Sequence, residues 1–265
     1  QESRKLMAVE QELRIAAQMQ QSILPLDWPS DPCHALHGFM RAARHVGGDF
    51  YDIIRVGNDR VVVVVGDVSG KGVPAALFMA VSTTLARVIG RDHDCPGRIL
   101  TLINNALVEQ NPQTMFVTMA CAVIDLAKGT LRYASGGHPS PVRLRSGQPP
   151  ALPFDSTGPM VGVFPDVEYT SEEHPFPKGD GYVFYTDGVT EASGLNGERF
   201  DEQRLLQALQ AACRSGVGAQ AILDQLFARL DRFVGPDRPL DDDASMVVLQ
   251  VRDEVMLPPL SRLPS

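Results

Sequence analysis

The chain has 265 residues, with 24 Lys and Arg against 32 Asp and Glu, a formal net charge of -8 and 44% hydrophobic residues. These values are typical of a globular protein with a full hydrophobic core, and they exclude collagen-like and disordered chains. An acidic chain repels phosphate backbones, and no Lys/Arg run is interleaved with aromatic residues, so we expect no nucleic-acid partner. The cysteines are too widely spaced for a metal knuckle or a disulfide framework, which favours a reducing cytoplasm. They are Cys33, Cys95, Cys121 and Cys213.

The sequence has no run of about 18 consecutive apolar residues, so we predict no membrane span within it. It begins at Gln1, without a methionine or a signal-like segment. We therefore expect a piece of a longer protein, in which a sensor or a membrane anchor precedes residue 1.

Residues 1–24 are predicted to form a helix that ends at Pro25. Its apolar positions alternate at steps of three and four, as in the seam of a coiled coil. Because the pattern covers fewer than about three heptads, two alternatives stay open: a helix docked on the next domain, and a linker that forms a homodimer. The seam positions are Leu6, Val9, Leu13, Ala16, Gln20 and Ile23.

A domain boundary is predicted after this helix, in the proline-rich stretch around Trp28 and Pro29. The predicted organisation is a helical linker at 1–32, one domain at 33–253 and a tail at 254–265. Cys33, His34 and His37 lie at the entry to the domain without a second ligand pair, so we expect no metal there.

From about residue 36 the pattern becomes rich in strands. Residues 61–65 are all valine, which is typical of a strand buried on both faces. Pro74 begins a helix of small and apolar residues. The predicted elements are strand 61–65, helices 74–89 and 97–110, strands 116–125 and 130–135, loops with short edge strands at 139–180, strand 182–186, helices 201–213 and 217–234, and strand 244–251. We expect two antiparallel sheets with helices packed outside.

Aspartates stand at the ends of apolar strands in four places: Asp49, Asp67, Asp187 and the run 241–243. Taken singly, each fits ordinary turn or cap chemistry, because Asp-Gly is a common turn pair. Together they offer oxygen ligands without neighbouring Cys or His, which favours Mg²⁺ or Mn²⁺ over zinc. Two such ions about 3.5–4 Å apart can activate water for attack on phosphorus, so we predict a metal-assisted phosphoryl hydrolase.

Four ordered motifs closely resemble those of the PPM-type metal-dependent serine/threonine phosphatases, in the bacterial stage-II-sporulation-E and sigma-factor-regulator branch. They are GGDFYD at 47–52, GDVSGKG at 66–72, YTDGVTEA at 185–192 and DDAS at 242–245. The resemblance covers about residues 41–251. It implies an α+β fold, an αββα sandwich, and hydrolysis of phosphoserine or phosphothreonine on a small regulatory protein of the anti-sigma-factor antagonist type.

The resemblance also implies a site with two Mn²⁺ or Mg²⁺ ions. Asp67 resembles the carboxylate that bridges the ions, and the carbonyl of Val68 would bind the second ion. Asp187 and Asp242 resemble the other ligands of the first ion. Asp49 would act mainly through metal-bound water, and metal-activated water would attack phosphorus directly.

Other positions carry weaker implications. Arg44 resembles a phosphate-binding arginine, since a guanidinium fork suits phosphate oxygens, and a solvated arginine is the alternative. Asp243 is expected to be a hydrogen-bonding neighbour of the ligands. Ser69 replaces a histidine of the eukaryotic branch, so the proton for the leaving group would come from elsewhere. His138 is expected to stabilise a turn, and Lys71 to lie near phosphate or in solvent.

Two other functions stay open: a non-catalytic scaffold or signal relay of the same fold, and a hydrolase for a small phosphorylated molecule. The resemblance implies an upstream sensor domain as a partner. In this bacterial branch a partner or upstream domain often orders the switch helices, so the isolated chain is expected to be weakly active.

Overall fold

The computed structural model describes residues 2–25, 34–109, 111, 114–214, 216–236 and 238–251. The predicted boundary around Trp28 and Pro29, the side chain of Leu6, Cys33 and the tail at 254–265 lie outside the described residues. The division into linker, domain and tail therefore stays a prediction.

The predicted helices and strands are present, with bounds that agree to within three residues. In chain order they are α1 (Glu2–Ile23), β1 (His34–Arg41), β2 (Phe50–Val56), β3 (Arg60–Val68), α2 (Val73–Asp92), α3 (Pro96–Glu109), β4 (Val117–Asp125), β5 (Thr130–Gly136), β6 (Val142–Leu144), β7 (Glu172–Pro175), β8 (Gly181–Tyr185), α4 (Asp187–Thr190), α5 (Asp201–Arg214), α6 (Ala219–Val234) and β9 (Ala244–Val251). The sequence pattern does not single out β2 or the one-turn helix α4.

Two antiparallel sheets form the centre of the domain. The first has the strand order β2-β3-β4-β5-β7 and the second β1-β9-β8-β6. Helices α2 and α3 pack on the first sheet, and α5 and α6 on the outer face of the second. The predicted αββα sandwich is confirmed. The valines at 61–65 are buried on both faces because a helix layer covers one side of β3 and the second sheet covers the other.

The region 139–180 contains the two short edge strands that its composition predicts. β6 is an edge strand of the second sheet, and β7 is an edge strand of the first. The rest of this region is irregular, in keeping with its proline and glycine content.

Helix α1 meets the domain only near its C-terminal end. Gln20 and, just after the helix, Leu24 are buried, and the Arg87 side chain of α2 donates to the carbonyl of Ile23 at 3.0 Å. Apolar side chains nearer the N-terminus stay exposed; they are Met7, Val9, Ile15 and Met19. The docked-helix alternative therefore describes the last turns of α1, and the exposed part remains available for a partner.

Among the described helices, α2 is long and apolar enough to cross a membrane by length and composition alone. Its buried residues, among them Ala75, Met79 and Ala86, belong to the core that it forms with the first sheet. Because a core helix of this kind passes the same test, its hydropathy is weak evidence for a span.

Candidate metal centre and active site

The predicted carboxylates come from both sheets and meet at one end of the sandwich. Asp67 lies near the end of β3, and Asp187 begins α4 directly after β8. Burial and then the charges of Asp187, Asp242 and Asp243 raise the pKa of Asp67 to about 7. Burial and then the charges of Glu191 and Asp242 raise the pKa of Asp187. Acidic side chains from both sheets are therefore concentrated around Asp67.

Asp49 lies deeper than the other carboxylates, with 1% of its surface exposed. Burial and then the charge of Asp67 raise the pKa of Asp49 well above the ordinary value, so the two carboxyl groups are electrostatic neighbours. The hydroxyl of Thr186 donates to Asp49 Oδ2 at 2.7 Å and accepts from the Ser245 amide at 2.9 Å. Asp49 thus joins the ends of β2, β3, β8 and β9 in one buried network.

Asp243 holds the loop in front of Asp49. Its Oδ1 accepts the Ala43 amide and its Oδ2 accepts the Gly48 amide, both at 2.8 Å. A Cβ at Gly47 would lie 1.9 Å from the same Oδ2, so only glycine fits there. The structure agrees with the expectation that Asp243 is a hydrogen-bonding neighbour of the ligands.

Asp242 is paired with a lysine in this structure. Lys71 Nζ lies 2.8 Å from Asp242 Oδ2 and donates to the Asp241 carbonyl at 2.9 Å. Lys71 therefore contacts the loop before β9. The sequence had predicted a position either near phosphate or in solvent. Lys71 borders a cleft of about 260 Å³ whose other lining residues include Glu191 and Arg199.

The donor chemistry of this cluster fits a divalent cation. The contributing side chains are all carboxylates, which hard cations such as Mg²⁺ prefer. Their mutual repulsion, seen in the raised pKa of Asp67, is what a bound cation relieves. In the described part of the chain, no three His, Cys, Asp or Glu side chains already stand in a finished metal-ligand arrangement. Binding would therefore require small side-chain movements, including release of Asp242 from Lys71.

A comparison with known protein families shows the family to which this chain belongs. The family described as Stage II sporulation protein E (SpoIIE) matches residues 57–252. The chain belongs to the SpoIIE family. The matched region extends from the turn before β3 to the end of β9, and it contains Asp67, Asp187 and Asp242.

Curated relatives agree with this membership. The chain is 32% identical over 227 residues to Protein IcfG of Synechocystis, a match that covers 76% of this chain and 36% of IcfG. It is 28% identical over 256 residues to Phosphoserine phosphatase RsbU of Bacillus subtilis, with 94% and 74% of the two chains covered. The chain thus spans about a third of one relative and three quarters of the other.

A solved structure confirms the fold of this SpoIIE-family chain. The SiaA-PP2C domain of Pseudomonas aeruginosa matches with a TM-score of 0.77 and 22% identity, covering 94% of this chain and 99% of that one. At this identity the likeness concerns the arrangement of sheets and helices.

His138 connects the two sheets beneath the site. Its Nδ1 lies 3.0 Å from the Thr118 hydroxyl, and its Nε2 lies 3.1 Å from the Tyr185 carbonyl. A carbonyl can only accept, so Nε2 carries the proton and Nδ1 accepts from Thr118. Burial lowers the pKa of His138 to about 4, which keeps the ring neutral. The Ser135 hydroxyl donates to the His138 carbonyl and accepts the His138 amide, so the turn is stabilised by Ser135, whereas the His138 ring links the two sheets.

Arg44 is the predicted site residue for which the structure shows no contact with the carboxylates among the described residues. It is exposed, and within the described residues no hydrogen bond or ion pair engages its guanidinium. The assignment of Arg44 to phosphate binding stays a prediction. The other predicted side chains, Asp49, Asp67, Asp187 and Asp242, lie together in the structure.

Sequence reasoning missed Thr186 and Gln20. Thr186 is fully buried and stands immediately before Asp187, inside a motif that the sequence had singled out for its aspartate. Gln20 was placed on a helix seam, and its contact spans 27 positions to Gly47. The adjacency of Thr186 to the motif could have indicated its role, whereas nothing local indicates the partner of Gln20.

Proposed function

We propose that this chain is a Mn²⁺- or Mg²⁺-dependent protein serine/threonine phosphatase acting on phosphoserine or phosphothreonine of a small regulatory protein of the anti-sigma-factor antagonist type. The observation that carries the proposal is the convergence of Asp67, Asp187 and Asp242 from both sheets around one concentration of negative charge. Membership of the SpoIIE family and similarity to RsbU, named as a phosphoserine phosphatase, support it.

The carboxylates of Asp67, Asp187 and Asp242 and the carbonyl of Val68 would hold two ions, with Asp49 contributing through water. When bound, the ions would lower the pKa of a water molecule that attacks phosphorus and would compensate the charge of the phosphoryl oxygens. Direct attack requires no phosphoenzyme.

The chain's own groups would orient the reaction. Asp49, which accepts a hydrogen bond from the Thr186 hydroxyl, would be held beside Asp67 at the site. Lys71 and Arg199 line the cleft, where each is ion-paired with an acidic neighbour, Asp242 and Glu191 respectively. Arg44 would supply a guanidinium for phosphate. Thr118 bonds to His138, but a ring with a pKa of about 4 is a poor base at neutral pH, so this pair favours no covalent route.

The proposed partners follow from the exposed part of α1. Its exposed Met7, Val9, Ile15 and Met19 would pack against an upstream sensor or against α1 of a second copy. The proposed organisation keeps a linker at 1–32, the phosphatase domain at 33–253 and a tail at 254–265, in a cytoplasmic protein.

A colorimetric phosphatase assay with a Mn²⁺ titration tests the proposal. Wild-type protein should release phosphate in proportion to bound Mn²⁺, and the double variant Asp67→Asn with Asp187→Asn should lose the activity. Full activity in the double variant would overturn the assignment.

A catalytically weak scaffold or signal relay is the second candidate. The Lys71 contact to Asp242 favours it, because a predicted ligand is already neutralised in this conformation. Stable binding of a phosphoprotein without turnover at saturating Mn²⁺ would support the scaffold, whereas turnover would exclude it.

A further inference from the structure

The C-terminal part of α1 contacts the loop that precedes β2. Gln20 is 5% exposed, whereas the adjacent Gln21 is exposed. Gln20 Nε2 donates to the Gly47 carbonyl at 2.6 Å, and Gln20 Oε1 accepts the Gly47 amide at 3.0 Å. A primary amide that pairs with both backbone groups of one residue fixes the position and the orientation of that residue.

Gly47 is held from its other side as well. A Cβ at Gly47 would lie 1.9 Å from Asp243 Oδ2, so the loop is in close contact with that carboxylate. The next residue, Gly48, donates its amide to Asp243 Oδ2 at 2.8 Å and accepts the Val68 amide on its carbonyl at 3.3 Å. The Gly47-Gly48 turn therefore touches segments from which predicted metal ligands project.

Gln20 is the most deeply buried side chain on the face of α1 that meets the domain. Among the described side chains of α1 it is the only one that is fully buried, and its neighbours on the same face, Ala16 and Ile23, are half-buried. An apolar side chain of the same size would fill the space but would leave the Gly47 amide and carbonyl without these partners, which is unfavourable in a buried place.

We propose that Gln20 is a positioning residue for the metal centre: its two hydrogen bonds hold Gly47, and through it the loop that carries Asp49, in the arrangement that binds Mn²⁺. This inference rests on the proposed function. Gln20 touches neither the substrate nor an ion, and it acts only through the Gly47 backbone.

Calorimetric titration with Mn²⁺ alone tests the role. The variant Gln20→Leu should bind Mn²⁺ about tenfold more weakly than wild type, the size of effect known for residues that orient metal ligands. The matched control Gln21→Leu, one position along the helix and exposed, should stay within about twofold. Hydrogen exchange at the peptide containing Gly47 should be faster in Gln20→Leu only.

A phosphatase assay on the same proteins separates positioning from general destabilisation. Excess Mn²⁺ should restore the rate of Gln20→Leu, because the loss lies in ion affinity. If Gln20→Leu does not fold, Gln20→Glu takes its place, since it keeps the size and the acceptor but turns an oxygen toward the Gly47 carbonyl. Wild-type Mn²⁺ affinity in a folded Gln20 variant would overturn the positioning role alone. Failure of wild-type protein to bind Mn²⁺ would overturn the proposed function with it.

Discussion

At the scale of single residues, the candidate site depends on close approaches that only glycine permits. A Cβ at Gly188 would lie 1.8 Å from the Asp243 carbonyl oxygen, a backbone atom that cannot move independently. Gly188 directly follows Asp187, so this contact sets how closely the β8 end and the loop before β9 can approach. Asp187 and Asp242, at the ends of two adjacent strands of the second sheet, come close because no side chain intervenes at Gly188.

Gly188→Ala should therefore destabilise the protein by at least about 2 kcal/mol, since the methyl group forces two backbone segments apart. The fractional loss of phosphatase activity should exceed the fractional loss of unfolding free energy, because the displaced segments carry Asp187 and Asp242. Gly218→Ala is the matched control, with a negative φ of -74° and no atom within 4 Å of the added Cβ. Urea denaturation would contradict the account if both variants had wild-type stability.

The pH dependence of the metal-free protein is a second expectation at this scale. The pKa of Asp67 is about 7 in the folded protein against an ordinary 3.8, so between these values the folded state binds more protons than the unfolded state. Stability contributed by this group therefore falls as pH rises from about 4 to about 7. Asp49, whose pKa is also raised, acts in the same direction.

Denaturation in a chelator at several pH values should show this slope in wild type and a smaller slope in Asp67→Asn. Asp224→Asn, at an exposed position on α6, should keep the wild-type slope. If stability depended on pH equally in wild type and Asp67→Asn, the pKa of Asp67 would not be raised by burial and neighbouring charges.

The sequence reveals the residues of the site better than their contacts. Asp67 and Asp187 could be predicted because each follows a strongly apolar strand within a dense motif. The bonds of Asp243 to Ala43 and Gly48 could not, since they connect positions about 200 apart in the chain and depend on how the two sheets stack. The ion pair between Lys71 and Asp242 was not predicted, for the same reason.

At the scale of elements, α1, α2 and β2 are joined by a single ion pair. Arg87 of α2 donates through Nε to Asp52 Oδ2 at 2.8 Å and through Nη2 to the Ile23 carbonyl at 3.0 Å. The Asp52 side chain is 3% exposed, whereas that of Arg87 is 38% exposed. The carboxylate thus depends on this partner, and solvent weakens the pair from the arginine side.

Arg87→Met should lower the free energy of unfolding by about 2 kcal/mol, because it leaves a buried carboxylate without its cation. Arg91→Met, one turn further along α2 and exposed, should change it little. Adding Asp52→Asn to Arg87→Met should recover part of the loss. A simple sum of the two single effects in this double-mutant cycle would argue against a direct interaction.

Long apolar elements were predictable and short ones were less so. The valine run of β3 and the helices α2, α5 and α6 follow from local pattern. β2 was not predicted because Asp52 interrupts its apolar pattern, although Asp52 is buried and paired with Arg87. Its strand character comes from pairing with β3 along the whole of its length.

At the scale of the whole molecule, the sandwich brings four strand ends to one place and gathers acidic residues there. Part of the net charge of -8 therefore lies at the proposed cation site rather than on a general acidic surface. The fold itself was predictable from ordered motifs, because they identify a family whose strand order is shared. The attachment of α1 was not, since it depends on polar contacts of Gln20 and Ile23 with residues far along the chain.

The central claim is that the carboxylates of both sheets form a divalent-cation-dependent phosphatase centre. The direct measurement is phosphate release from a phosphoserine-bearing protein by chelator-treated enzyme, before and after Mn²⁺ is added, for wild type, Asp67→Asn and the control Asp224→Asn. The account predicts activity that returns with Mn²⁺ in wild type and Asp224→Asn, and at least about a hundredfold less in Asp67→Asn. Equal activity in all three proteins, or activity indifferent to Mn²⁺, would contradict it.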